Sequence, residues 1–281
     1  SAEDKERNPM YERSSASEVP VLDTAVITDP NKLDIGKVGA LAGKASLEYV
    51  RRAVELCMEG EADGLVTGPI NKESIRAAGS SHIGHTEMIS SMTGERKGVT
   101  MFSVDALKIF FHSRHLSLSE AIGAIDVESV LESLRLTANC LLSVGYESPS
   151  IALAALNPHA SDGGLFGDEE SRYLSPALDK ARAEGIDVHG PIPADSVFFQ
   201  ALQGTYDAVL SLYHDQGHIA AKTYDFYKTV SVTFGYPFLR TSVDHGTALD
   251  IAWKGKANPV SMKEAVSTCR ELAARYRPRY A

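Results

Sequence analysis

Histidine, aspartate and glycine gather in a few short polar stretches of this chain. These are Asn157-Pro158-His159-Ala160, Tyr213-His214-Asp215-Gln216-Gly217 and His245-Gly246-Thr247-Ala248-Leu249-Asp250-Ile251-Ala252, the last followed by Lys254-Gly255-Lys256-Ala257-Asn258-Pro259. Such residues in loops can bind a metal, move protons and let backbone approach a ligand, and together they outline a metal-dependent enzyme rather than a structural protein. Neutral imidazole is a common ligand for zinc and similar divalent ions, and three protein ligands leave coordination positions open for substrate. His115, His159 and His214 each follow an apolar run that reads as a strand, so three ligands could reach one ion from three strand ends. The same placement also suits histidines that cap strands by bonding backbone, because no His-x-His or His-x-x-x-His pair among these three fixes two ligands locally. His112, three before His115, would point away from it after a strand and reads as structural or as a support behind the ligands. His218, four after His214, shares its face if that stretch is helical.

The basic residues point to an anion. Arg240 lies between the runs Pro237-Phe238-Leu239 and Thr241-Ser242-Val243, and a buried arginine needs an anionic partner. An arginine fork with a lysine point charge, here Lys222, is a common pair for phosphate or carboxylate. No G-x-G-x-x-G follows a strand and no G-x-x-x-x-G-K-S/T occurs, so the common nucleotide fingerprints are absent. Gly163-Gly164-Leu165-Phe166-Gly167 precedes the acidic Asp168-Glu169-Glu170 and reads as a turn. Gly246 and Gly255 flank a short polar helix, in a segment whose glycines would let backbone approach a cofactor.

The elements that must position these groups follow from periodicity. Leu47, Val50, Val54, Cys57 and Met58 share one face of a helix over about residues 41 to 59, and Gly60 stops it. Gly64 to Pro69 reads as a buried strand and a tight turn, with Asn71 capping the next helix. Val99–Val104 and Leu107–Phe111 form a hairpin about Asp105-Ala106. Helices are expected over Val127 to Val144, Asp168 to Glu184 and Ser261 to Tyr276. Strands are expected at Ile151–Leu156, Ala208–Tyr213 and Val230–Phe234. Alternating strands and helices imply a largely parallel sheet covered on both faces, with ligands at the carboxyl ends of strands. Residues 1–19 are polar and aperiodic and read as a loop or arm.

Composition narrows the class. With 43% hydrophobic and 23% charged residues in 281, the chain has material for one large core. A formal net charge of −9 argues against nucleic acid as partner but not against a small anion held locally. Three cysteines without a paired motif favour reduced thiols and a cytoplasmic setting. No apolar run approaches the roughly 20 residues of a membrane helix. The first residues, Ser1-Ala2-Glu3-Asp4-Lys5, carry neither an initiator Met nor a signal-peptide core, which suggests a trimmed chain.

Taken together, Thr67-Gly68-Pro69-Ile70-Asn71-Lys72, Gly84-His85-Thr86-Glu87, His115-Leu116-Ser117-Leu118, Leu156-Asn157-Pro158-His159-Ala160, Pro193-Ala194-Asp195, Tyr213-His214-Asp215-Gln216-Gly217 and Arg240-Thr241-Ser242-Val243-Asp244-His245-Gly246-Thr247-Ala248 form a family pattern. The chain resembles the 4-hydroxythreonine-4-phosphate dehydrogenase family of vitamin B6 biosynthesis, including its paralogues acting on D-threonate and D-erythronate 4-phosphate, over about residues 35 to 278.

The resemblance implies an α/β fold like that of isocitrate and isopropylmalate dehydrogenases, a single two-lobed unit around a central cleft, with no lobe boundary readable. It implies that His115, His159 and His214 bind a divalent metal: zinc, or else magnesium, manganese or cobalt. His85, Thr86, Lys222, Ser231 and Arg240 would contact a small phosphorylated substrate. The loop from His245 to Asn258 would bind NAD, through His245, Gly246, Thr247, Ala248, Asp250 and Asn258. The partner would be a second copy, in a homodimer with a shared active site. The chemistry implied is oxidation of a C3 hydroxyl by NAD, then decarboxylation of the β-keto acid. Lys222 would hold an anionic end, and Asp195 or Asp215 would accept the proton or orient a ligand histidine.

Two departures bear on this. The family's opening strand and Gly-Asp-Pro-Ala-Gly-Ile-Gly loop have no counterpart, implying an N-terminally shortened or altered form. Ser231 stands where the biosynthetic enzyme has a substrate-contacting Asn, and His218-Ile219-Ala220-Ala221 replaces a more apolar run. Such changes can alter which C2 substituent is preferred, amino or hydroxyl. The rival readings are a cis-dihydrodiol dehydrogenase of aromatic degradation and a non-catalytic remnant that keeps metal and nucleotide.

Overall fold

The computed structural model describes residues 19–94 and 98–278. The arm expected over 1–19 lies outside them except for Val19. The first half runs α1 (Ala40–Met58), β1 (Gly64–Thr67), α2 (Lys72–Ala77), α3 (His85–Met92), β2 (Val99–Val104), β3 (Leu107–Phe111), α4 (Leu118–Gly123) and α5 (Val127–Ser143). The second runs β4 (Ile151–Ala154), α6 (Ser175–Ala183), β5 (Val188–Ile192), α7 (Ala194–Leu202), β6 (Ala208–Ser211), α8 (His214–Tyr224), β7 (Val230–Phe234), β8 (Leu239–Val243) and α9 (Val260–Ala273). Among the described residues no helix is long and apolar enough to cross a membrane.

The long amphipathic elements fall where periodicity places them. α1 turns Val50, Val54 and Cys57 inward, and Gly60, at φ 76°, leads the chain out of it. Asn71 caps α2 as expected, its Oδ1 accepting the Ser74 N–H at 2.8 Å. The helix expected from Asp168 instead opens with a single π turn, Glu170–Leu174, before α6. The short helices α3, α4 and α7 and the strands β5 and β8 were not expected. β5 contains Gly190 and Pro191, and β8 carries Arg240, Thr241 and Ser242 through its middle, so neither shows an apolar signature.

The strands form a single sheet in the order β1-β8-β7-β2-β3-β6-β4-β5. The expectation of a largely parallel sheet needs correction. β1/β8, β3/β6, β6/β4 and β4/β5 are parallel, but β7/β8, β2/β7 and β2/β3 are antiparallel, so the sheet is mixed. The tight hairpin at Asp105 reverses the chain where a crossover helix would have kept strands parallel.

Strand alternation divides the core. Met101, Phe110, Leu153, Leu210 and Val232 face α5, α6 and α9 on one side. Phe102, Ile109, Ala152 and Val209 face α7 and α8 on the other. A third cluster packs α1 and α3 on Leu65, Tyr236 and Phe238. Each large apolar side chain so buried is worth roughly 1.5–3 kcal/mol relative to exposure.

α1 meets α2 with no space to spare. A Cβ on Gly43 would lie 1.9 Å from the Ser74 carbonyl oxygen and 2.3 Å from its carbon, both backbone atoms that cannot rotate away. Gly43→Ala is therefore expected to lower stability by about 1–3 kcal/mol or more, by forcing the helices apart. Urea denaturation measures this, and an unchanged midpoint would contradict the packing.

Two consequences of topology position the site. β3, β6 and β4 are adjacent and mutually parallel, so their carboxyl ends share one edge of the sheet. α8 starts at that edge and crosses the face of β6, β3 and β2, so Lys222 lies about 12 Å along the helix from His214.

Candidate active site

The shared edge receives all three candidate histidine loops: His115 after β3, His214 after β6 and His159 after β4. His115 and His214 come together, with ring centroids 6.2 Å apart. Asp215 Oδ1 lies 2.6 Å from His214 Nδ1. An ionised carboxylate only accepts, so Nδ1 donates to it and Nε2 is the ring nitrogen turned toward a ligand. Burial and the neighbouring Arg114 charge depress the His115 pKa, which also favours the neutral ring. His159 is not brought to this pair, and its ring neighbour is Phe166 at 6.3 Å. Among the described residues no group of three His, Cys, Asp or Glu side chains gathers closely enough to hold a metal. His112 is held within the fold. Its Nδ1 lies 2.9 Å from Ser133 Oγ and its Nε2 3.3 Å from the Ala124 carbonyl, so both ring nitrogens are engaged.

The His159 loop is built differently from an ordinary strand end. His159, Ala160, Ser161 and Asp162 all have positive φ, between 44° and 69°. Non-glycine residues adopt this region in short runs only where surroundings compel them. The compelling group is Glu170, 4% exposed, which accepts the Leu156 and Asn157 backbone N–H groups at 2.9 and 2.7 Å, the Asn157 amide at 2.9 Å, and the Ser161 hydroxyl. Burial alone would raise its pKa, but the donors at Asn157 and Ser161 outweigh burial and lower it. Gly163, Gly164 and Gly167, all at positive φ, complete the turn expected there.

A second cluster lies on the sheet face that α8 shares. Register puts Thr67, Ser242 and Ser231 in one row across β1, β8 and β7, with Arg240 two residues from Ser242 on the same face. Arg240 is 7% exposed and donates from Nε and Nη2 to Thr67 Oγ1 at 3.2 and 2.8 Å. No carboxylate pairs with it among the described residues, and burial pulls its pKa down to about 10. Burial, then the charge of Arg240, lowers His85 to about 4. Thr67 and His85 line a cavity of about 280 Å³ with Tyr49, Gly68 and Pro69. A desolvated cation with hydroxyl and imidazole neighbours beside an open cavity has the chemistry to receive an anion. Thr86 is exposed beside His85.

Lys222 Nζ lies 2.5 Å from Asp244 Oδ2 and 5.5 Å from the Phe226 ring centroid. Asp244 and Phe226 also border a cavity of about 650 Å³, lined further by Pro69, Tyr227, His245, Gly246, Thr247, Ala248, Trp253, Gly255 and Asn258. That is a volume suited to a small-molecule ligand. All but one of the residues expected to bind the cofactor line it. Asp250 does not, lying exposed in a 3-10 turn, Leu249–Ile251, where a short polar helix was expected. Of the two candidate proton acceptors, Asp215 is engaged with His214, and Asp195 is exposed in the first turn of α7.

Several residues escaped the reading of the sequence. Glu170 looked like one acid of a solvated helix start. Arg114 is half-buried with no acid partner among the described residues, and only its position before His115 could have flagged it. Asp244 reveals itself only through Lys222, and Thr67 only through Arg240.

The sequence profile of the family described as pyridoxal phosphate biosynthetic protein PdxA matches residues 2–269. A protein of Symbiobacterium thermophilum, provisionally named D-threonate 4-phosphate dehydrogenase, is 51% identical over 259 residues, or 92% of this chain and 77% of that one. The crystal structure of 4-hydroxythreonine-4-phosphate dehydrogenase from Klebsiella pneumoniae has a TM-score of 0.80 at 41% identity, covering 88% of this chain and 75% of that one. A terephthalate 1,2-cis-dihydrodiol dehydrogenase from Burkholderia xenovorans LB400 reaches 0.63 at 28% identity, over 86% and 77%. The fold and these relatives define a dehydrogenase, an oxidoreductase acting on a CH–OH group. The chain belongs to the PdxA family, and its α/β class is the one expected.

Proposed function

We propose that this dehydrogenase oxidises the C3 hydroxyl of a 4-phosphorylated four-carbon hydroxy acid with NAD, after which the β-keto acid loses C1 as carbon dioxide. The observation that carries this reading is Arg240, a buried cation lacking a carboxylate, on the face α8 shares with the histidine edge. Arg240 and Lys222 would hold the anionic ends, with His85, Thr86 and Ser231 around them. The cavity from His245 to Asn258 suits the nucleotide. His115 and His214, with His159 supplied by a second copy in a homodimer, would hold a divalent ion, zinc by donor type, whose Lewis acidity when bound polarises the hydroxyl and then the carbonyl. Hydride leaves C3 for the nicotinamide, and the hydroxyl proton goes to a base at the histidine edge. Asp215 is committed to orienting His214, which leaves Asp195 as the candidate acceptor.

Between the two substrates named for its relatives, D-threonate 4-phosphate is favoured over 4-hydroxy-L-threonine 4-phosphate. The relative named for the former is 51% identical, and the structure named for the latter 41%. Arg114 adds an uncompensated positive charge beside His115, which disfavours a C2 ammonium and accepts a hydroxyl. Two cations also suit a phosphorylated acid better than an aromatic dihydrodiol. The test is NADH formation with added divalent ion and each phosphorylated acid in turn. Faster turnover of D-threonate 4-phosphate, with release of carbon dioxide, is expected. No NADH from either acid, despite bound metal and nucleotide, would overturn the catalytic reading.

A further inference from the structure

We propose that His218 is a positioning residue for His214, and that the two imidazoles act as one stacked unit fixing how His214 presents Nε2 to a divalent cation. This rests on the metal reading above. His214 and His218 stand four apart at the start of α8, so both rings leave the same face of the helix. Their centroids are 3.6 Å apart and their planes differ by 11°.

The second ring is itself anchored. His218 Nδ1 lies 2.8 Å from the His214 carbonyl oxygen. A carbonyl only accepts, so Nδ1 donates and the ring plane is tied to the helix backbone. Phe102 and Phe111 hold it from the sheet side, with centroids at 4.3 and 4.7 Å and interplanar angles of 63° and 43°. His218 therefore cannot turn without losing a hydrogen bond and two aromatic contacts.

His214 needs such a support. Its bond to Asp215 fixes the tautomer, but a single contact at Nδ1 leaves the ring free to swing about it, and Asp215 is itself exposed. The stack adds a second constraint of a different kind, on the ring face. Face and Nδ1 together define the plane and leave Nε2 as the nitrogen for a ligand. A ligand side chain already held in its bound orientation loses less freedom on binding, so metal affinity rises.

The bland alternative is that His218 only fills space between α8 and the hairpin. Two substitutions separate the readings. His218→Leu keeps apolar volume and removes the ring, and His218→Phe keeps a flat ring to stack. Affinity for Zn²⁺ is read by chelator competition on the purified full chain, and ligand geometry by the visible spectrum of Co²⁺. His218→Leu is expected to weaken Zn²⁺ binding by about ten-fold or more and His218→Phe by only about three-fold, the scale seen for partners of ligating histidines. The Co²⁺ spectrum should change in the first and persist in the second, with melting of the metal-free proteins confirming both are folded. Wild-type affinity and spectrum in His218→Leu, while His214→Ala has lost both, would overturn the inference alone. Metal retained by His214→Ala as well would remove the metal reading, and the inference with it.

Discussion

His214→Ala is expected to lose tightly bound divalent metal and to reduce NADH formation to background, with the fold intact. His214 stands at the start of α8, half-exposed, and its ring packs on His218 rather than into the core. Its removal would therefore take away the proposed ligand and little packing. A His159→Ala protein should show the same loss through a different part of the molecule. His159 is exposed on a loop held by Glu170, and its ring approaches neither His115 nor His214 within one chain. If the site is completed by a second copy, mixing inactive His159→Ala and His214→Ala proteins should restore part of the turnover, because some mixed dimers then carry one intact site. Metal analysis and NADH formation read both effects. Metal retained in both single variants would refute the assignment. Failure of the mixture to recover would refute the sharing between copies.

How much of this was legible beforehand depends on the physical signal each feature carries. Helices α1, α5 and α9 were legible because one flank of each must meet a sheet, which writes a 3.6-residue period into the sequence. α8 leaves no such period. Its inner face is made of Gln216, Gly217 and Ala221, chosen for close approach, since a Cβ on Gly217 would lie 2.6 Å from the Phe111 ring. β8 was hidden for a related reason, because only one of its two buried faces, with Leu239 and Thr241, meets α9, while the other carries the polar Arg240 and Ser242. The histidine loops were legible because polar residues after apolar strands are conspicuous. What no sequence pattern could say was how far apart those loops end, which is set by the β4–β6–β3 neighbourhood and by the Glu170 brace. The same holds for the pairing of Lys222 with Asp244, whose spacing of 22 residues has no local meaning.

Arg240 offers the sharpest separation of function from stability. Arg240→Met is expected to lower kcat/KM for the phosphorylated substrate by about 10²–10³-fold, the loss of two charge-assisted hydrogen bonds to an anion, mostly as a rise in KM. A structural arginine would behave otherwise, because removing one half of a buried ion pair destabilises strongly. Here no carboxylate is left behind. Among the described residues the guanidinium donates only to the neutral hydroxyl of Thr67, and burial already depresses its pKa to about 10. A cation desolvated without a counter-ion works against folding, so a methionine of similar length should leave the melting temperature unchanged or raise it. Inorganic phosphate then tests the site apart from turnover. It should raise the melting temperature of the wild-type protein by binding the native state, and should do so much less in Arg240→Met. Equal stabilisation of both proteins by phosphate would remove Arg240 from the anion site. Marked destabilisation of the variant without phosphate would show that the arginine serves the core and not a ligand.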